Sequence, residues 1–152
     1  MIRAVMGVGP RSGTSFTMRM MHEAGLPIHW DPSIDEKMPA EGNPQGYYET
    51  HFQDYRSLED VIVKVWPMSA RFADVEKMVV LERDRDSQIA SIEKQMVRER
   101  ALLDTLGITW SAEDFRDRSA EALNLYLSIP HLRVRTEDLD ERIDEIINYM
   151  RY

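Results

Sequence analysis

With 152 residues the chain suffices for one domain, and a domain of that size buries roughly two thirds of its unfolded surface. A formal net charge of −8 argues against a generally basic face for nucleic acid or anionic membrane, and the absence of cysteine excludes disulfides and thiolate metal sites. No apolar run approaches a membrane span and no signal-peptide pattern opens the chain, so a cytoplasmic protein without nucleic-acid or membrane partners is expected.

Apolar runs alternate with longer amphipathic ones, the pattern of a parallel sheet covered by helices. The first predicted strand, Ile2 to Val8, leads through a glycine-bearing loop into a helix from about Gly13 to Ala24. Gly25 to Gly46 is the least regular stretch, with Pro27, Pro32, Pro39 and Pro44; so long a loop in a compact domain suggests an acceptor-side role. Strands are then predicted at Val61–Trp66, Met78–Glu82 and His131–Arg135. Helices are predicted at Asp86–Leu106, Ser111–Ser128 and Asp140–Tyr149, with Ser111 as a cap and Pro130 ending the second. The expected fold is one α/β domain over residues 1–152, a three-layer sandwich with a small, mostly parallel sheet of about four strands.

Two stretches carry chemistry. The first is Gly7-Val8-Gly9-Pro10-Arg11-Ser12-Gly13-Thr14-Ser15. A strand turning through glycines into a helix presents free backbone N–H groups at a positive dipole end, a seat for phosphate or sulfate. Arg11 adds a fixed charge; Ser12, Thr14 and Ser15 add hydroxyls. The loop is not the nucleoside-triphosphate type G-x-x-x-x-G-K-[ST], because Thr14 stands where that loop has Lys and the cation precedes the last Gly. The second stretch is the strand Met78–Glu82 followed by Arg83 and, eight positions later, Ser91. An Arg at the carboxyl edge of a parallel sheet can clamp a phosphate bidentately. Read alone, Arg83 pairs equally well with a nearby carboxylate, and Ser91 is an ordinary helix surface residue.

Pro10-Arg11-Ser12-Gly13-Thr14-Ser15 resembles the 5′-phosphosulfate loop of sulfotransferases that use 3′-phosphoadenosine 5′-phosphosulfate (PAPS), and Arg83 with Ser91 has the spacing of that family's 3′-phosphate element. Three weaker matches keep the family's order: Asn43-Pro44-Gln45-Gly46-Tyr47-Tyr48-Glu49, Val61-Ile62-Val63-Lys64-Val65-Trp66-Pro67, and Arg133-Val134-Arg135-Thr136-Glu137-Asp138-Leu139. The chain is thus similar to a short member of bacterial or phage type, with the family's P-loop fold.

The resemblance implies that residues Arg11, Ser12, Gly13, Thr14 and Ser15 hold the 5′-phosphosulfate and that Arg83 and Ser91 hold the 3′-phosphate. Arg11 and Lys64 would stabilise charge on the departing phosphate, giving 3′-phosphoadenosine 5′-phosphate (PAP) without a metal. Cytosolic members place a base on the Lys-x-His strand, but that position here is Trp66, which either lines the acceptor pocket or packs in the core, core packing being the first expectation. Glu49 is therefore the first candidate for the acceptor's base and His51 the second, ahead of His29 and Asp31.

His22, His29, His51 and His131 lack ligand spacing, and no metal site is expected. Met18, Met20 and Met21 read as core filler; Glu93, Lys94, Arg98, Glu99 and Arg100 read as a solvated helix face. Two alternatives stand beside the sulfotransferase reading: a P-loop small-molecule kinase using ATP and magnesium, and a non-catalytic nucleotide-binding relative. The sequence leaves open the acceptor (a hydroxyl or amine of a sugar, metabolite or peptide) and whether the chain forms a homo-oligomer.

Overall fold

The first strand organises the fold because it is apolar on both faces. In a computed structural model that describes residues 1–8, 11–37 and 46–152, β1 (Ile2–Gly7) is buried along its whole length. Ile2, Ala4 and Met6 face one core and Val5 the other, the alternation of a strand covered on both sides. Around it lie β2 (Ile28–His29), β3 (Ile62–Lys64), β4 (Val75–Glu82) and β5 (His131–Arg135), in the order β2-β3-β1-β4-β5. Every pairing is parallel.

Among the described residues the helices are α1 (Thr14–Glu23), α2 (Pro32–Asp35), α3 (Arg85–Arg98), α4 (Arg100–Thr105), α5 (Ala112–Asn124) and α6 (Leu139–Arg151). On one face, Met18 and Met21 of α1 and Leu139, Ile146 and Met150 of α6 pack on Val5, Ile62, Val79, Leu81 and Val134. On the other, Leu123 of α5, Tyr55 and Ala70 pack on Ala4, Met6, Val63, Met78 and Val80. With α3 lying against α5, the result is a three-layer α/β sandwich. Among the described residues no helix is long and apolar enough to cross a membrane.

The strand order positions a crevice. The chain leaves β1 toward the β3 side and leaves β4 toward β5, so the two exits diverge where β1 and β4 run side by side. Ligands of open α/β sheets bind at such a switch point, outside the carboxyl ends of the strands. The ends are level: Gly7 pairs with Leu81, and the Val8 N–H donates to the Leu81 carbonyl at 2.8 Å. Arg11 follows one strand and Arg83 the other.

Several elements differ from the sequence expectation. The sheet has five strands rather than about four, because β2 lies in the stretch read as irregular. Two residues give no periodic signal; β2 exists through the pairing of Ile28 with Ile62 and His29 with Val63. The same stretch holds α2, started by Pro32 and capped by Asp31, whose side chain accepts the Ser33 N–H. The helix expected from Asp86 to Leu106 breaks at Glu99, whose backbone lies at φ −103° and ψ 15°, with no Gly or Pro to announce it. The strand expected over Val61–Trp66 shortens to Ile62–Lys64, since Trp66 turns the chain into a 3-10 segment opened by Pro67. β4 starts earlier, at Val75; α5 stops at Asn124; α6 runs on to Arg151.

Ile146 is fully buried between α6 and the sheet. Ile146→Ala is expected to cost about 2–5 kcal/mol through lost transfer energy and a residual cavity. Urea titration should give a lower midpoint with an unchanged slope.

Candidate functional site

The loop after β1 is shaped by two left-handed residues, Arg11 at φ 62° and Gly13 at φ 94°. The φ of Gly13 suits glycine, and an added Cβ would press on Leu139 Cδ2 at 3.0 Å. As N-cap of α1, Gly13 offers no side-chain cap, and no acid sits in the first turn. The first-turn N–H groups thus keep their outward direction and the dipole its positive end. The Ser12 side chain is fully buried, and the Ser12 carbonyl accepts from Thr136 Oγ1 at 2.6 Å. The turn after β5 therefore braces the loop from below.

The same turn braces α3. Glu137 accepts the Asp84 backbone N–H at 2.9 Å, and Asp84 caps α3 by accepting the Ser87 N–H at 3.0 Å. Gln88, fully buried, donates to the Val8 carbonyl at 2.8 Å and accepts from Arg116 Nε at 3.3 Å.

Arg83 Nη1 donates to the Arg11 carbonyl at 3.0 Å, and Arg11 Nε donates to Ser91 Oγ at 3.2 Å. Two motifs more than 70 residues apart thus converge on one spot. Among the described residues Arg83 forms no ion pair. Burial, with the like charges of Arg98 and Arg83 adding to it, holds the Arg11 guanidinium below its ordinary pKa. Arg98 therefore belongs to the electrostatics of this spot rather than only to a solvated helix face.

Lys64, only 4% exposed, sits at the end of β3 and faces α1. Its ammonium donates to Glu49 Oε1 at 2.7 Å, Ser15 Oγ at 2.9 Å and the Tyr47 carbonyl at 2.9 Å. All three donors are used. Ser15 in turn gives its hydroxyl proton to the Tyr47 carbonyl at 3.1 Å. Glu49 is 8% exposed and its Oε2 accepts from Trp66 Nε1 at 2.7 Å. Tyr55, buried nearby, donates to the Lys64 carbonyl at 3.5 Å, and burial, with the negative charge of Glu49, pushes its hydroxyl well above the usual tyrosine range.

The other acceptor-side candidates lie alongside. The Asp31 N–H donates to the Glu49 carbonyl at 2.7 Å and Thr50 Oγ1 to the His29 carbonyl at 3.4 Å. His51 is exposed, with Nε2 at 3.6 Å from Asp31 Oδ2. Hydrogen bonds from the Ser33 hydroxyl and backbone hold the Asp31 carboxyl below the usual range. His22 packs instead against Trp30 and Tyr48, ring centroids 4.8 and 6.0 Å away. Gly9, Pro10 and the Asn43-Pro44-Gln45 portion of the weaker motif lie outside the described residues.

Sequence reasoning missed three contributors. Thr136 stood out only as a substitute for Tyr, Trp66 as core or pocket lining without a role for its N–H, and Gln88 not at all. The signal for Gln88 was an amide at the start of a helix whose neighbours Ile89 and Ile92 are apolar.

No family model matches the chain, and no curated protein matches it. Among solved structures it is similar to an uncharacterized protein from Eubacterium ventriosum. The likeness has a TM-score of 0.45 at 15% identity, over 99% of this chain and 98% of that one.

The latch between Glu137 and Asp84 predicts a pH dependence. Hydrogen bonds from backbone N–H groups lower both carboxyls in the folded state. Both then bind protons less tightly folded than unfolded, so their stabilisation is complete above the unfolded values near 4 and is lost as pH falls through the lowered folded values. Melting temperatures measured from about pH 6 down to about pH 3 should fall more steeply for the parent than for Asp84→Asn/Glu137→Gln. Parallel curves would contradict the assignment.

Proposed function

We propose that this chain is a sulfotransferase of the cytoplasm that moves a sulfuryl group from PAPS to a hydroxyl or amine of an acceptor. The observation that carries the reading is the junction of Arg11, Arg83 and Ser91 at the level carboxyl ends of β1 and β4. The residue chemistry fits a nucleotide with two separated anionic groups. One end finds the first turn of α1 with the backbone from Ser12 to Ser15; the other finds Arg83 and Ser91, and the Arg11 side chain, bonded to Ser91, stands between them.

When bound, PAPS supplies a sulfuryl group whose S–O bond to phosphate breaks as a bond to the acceptor oxygen or nitrogen forms. Arg11 and the α1 N–H groups receive the charge that the departing phosphate gains. Glu49 takes the acceptor's proton. Both its oxygens already accept a hydrogen bond, and each keeps a second lone pair for that proton. Lys64 supports this role first by neutralising Glu49 and by fixing Ser15 and the Tyr47 carbonyl; its reach to the phosphate requires exchanging one of those bonds.

Calorimetric titration tests the reading. PAP is expected to bind without metal, about 10- to 100-fold more weakly in Arg83→Ala, the range for a charged hydrogen-bonding group. Glu49→Gln should retain that affinity while losing at least about 100-fold in transfer rate. Binding of ATP with magnesium in place of the bisphosphate would replace the reading with a kinase. Silence toward both nucleotides would refute a nucleotide site altogether.

A further inference from the structure

The two oxygens of Glu49 are held by donors of opposite character. Lys64 Nζ, on Oε1, is a charge on a flexible four-carbon stem, and it also bonds Ser15 Oγ in the first turn of α1. An anion seated at that turn competes directly for this ammonium. Trp66 Nε1, on Oε2, is a single neutral donor on a rigid ring. Its backbone is fixed as well: Trp66 leaves β3, caps the 3-10 segment Pro67–Phe72, and its carbonyl accepts the Ser69 N–H at 2.9 Å.

We infer that Trp66 is a positioning residue for Glu49, a fixed N–H that keeps the carboxylate in place when an anionic ligand draws Lys64 toward the end of α1. The inference deepens the reading of Glu49 as the acceptor's base and rests on it. An indole suits the task because it donates only. It adds no charge that would hold the carboxylate proton-free by attraction, and it has no lone pair to compete for the acceptor's proton. Its ring, 5.4 Å from Lys64 Nζ, also gives the ammonium a π-face. Apolar packing alone would be served by phenylalanine, so the N–H is the feature under test.

Trp66→Phe keeps an aromatic ring and removes the donor. Steady-state kinetics should show kcat about 10- to 100-fold lower, the range for a hydrogen bond to a charged group, with the donor KM within about twofold of the parent. Independently of turnover, the Trp66 indole N–H resonance of the parent should be shifted downfield and protected from solvent exchange, and both properties should diminish in Glu49→Gln. Unchanged kcat in Trp66→Phe beside an active parent overturns the positioning role. A parent that binds PAP and transfers nothing, while its indole still responds to Glu49→Gln, overturns the role through failure of Glu49 as base. An indole indifferent to Glu49→Gln overturns the hydrogen bond itself.

Discussion

A buried ammonium has to be satisfied, and the way Lys64 is satisfied ties the site together. Removing a charge from water costs several kcal/mol even in relaxed protein interiors, and the cost is offset only where geometry and hydrogen bonds are good. Lys64 meets that demand with acceptors from two other segments: Ser15 of α1, and Tyr47 with Glu49 on either side of the left-handed Tyr48. Losing one partner of a buried pair typically costs about 3–5 kcal/mol, because the other charge is left uncompensated. The positions of β3, α1 and the Tyr47–Glu49 segment are therefore interdependent. Through Glu49 the dependence extends to Trp66, and through Ser15 to the loop whose shape Gly13 sets.

Around Arg11 cations gather, with Glu99 as an opposing charge nearby. Arg11, half-buried, lies near Arg83 and Arg98, and all three carry the same sign. Crowding of this kind is unfavourable in the free protein and becomes favourable around an anion, most of all one bearing more than one negative charge. The overall charge of −8 does not oppose this, since exposed carboxylates beyond about 10 Å are screened by salt. The parallel sheet supplies the rest of the design. Because every strand points the same way, the neutral Lys64–Glu49 pair at the end of β3 and the arginines beyond β1 and β4 share one edge.

The parts legible in the sequence were those whose signal is local. A strand, a glycine turn and a helix in succession announced β1, the loop and α1, and the spacing of Arg83 and Ser91 announced a second element on the same edge. β5 was legible to the residue because His131–Arg135 is bounded by Pro130 and a turn. What stayed hidden depends on partners far along the chain. β2 is defined by its neighbour rather than by its own two residues, and the break at Glu99 carries no breaker residue. Residue type told that Lys64 and Ser15 could donate, but not that their protons are committed to Glu49 and Tyr47. Trp66 read as core or pocket lining for the same reason: an apolar ring is visible in sequence, while the carboxylate its N–H meets lies 17 positions earlier.

The central claim is that the loop after β1 and the segment after β4 form a single nucleotide site. Backbone amide resonances followed during titration with PAP test it most directly. The claim predicts that amides of Ser12 to Ser15 and of Arg83 to Ser91 shift together, with one common midpoint and without added metal. Shifts confined to one segment, or two segments titrating with different midpoints, would contradict it.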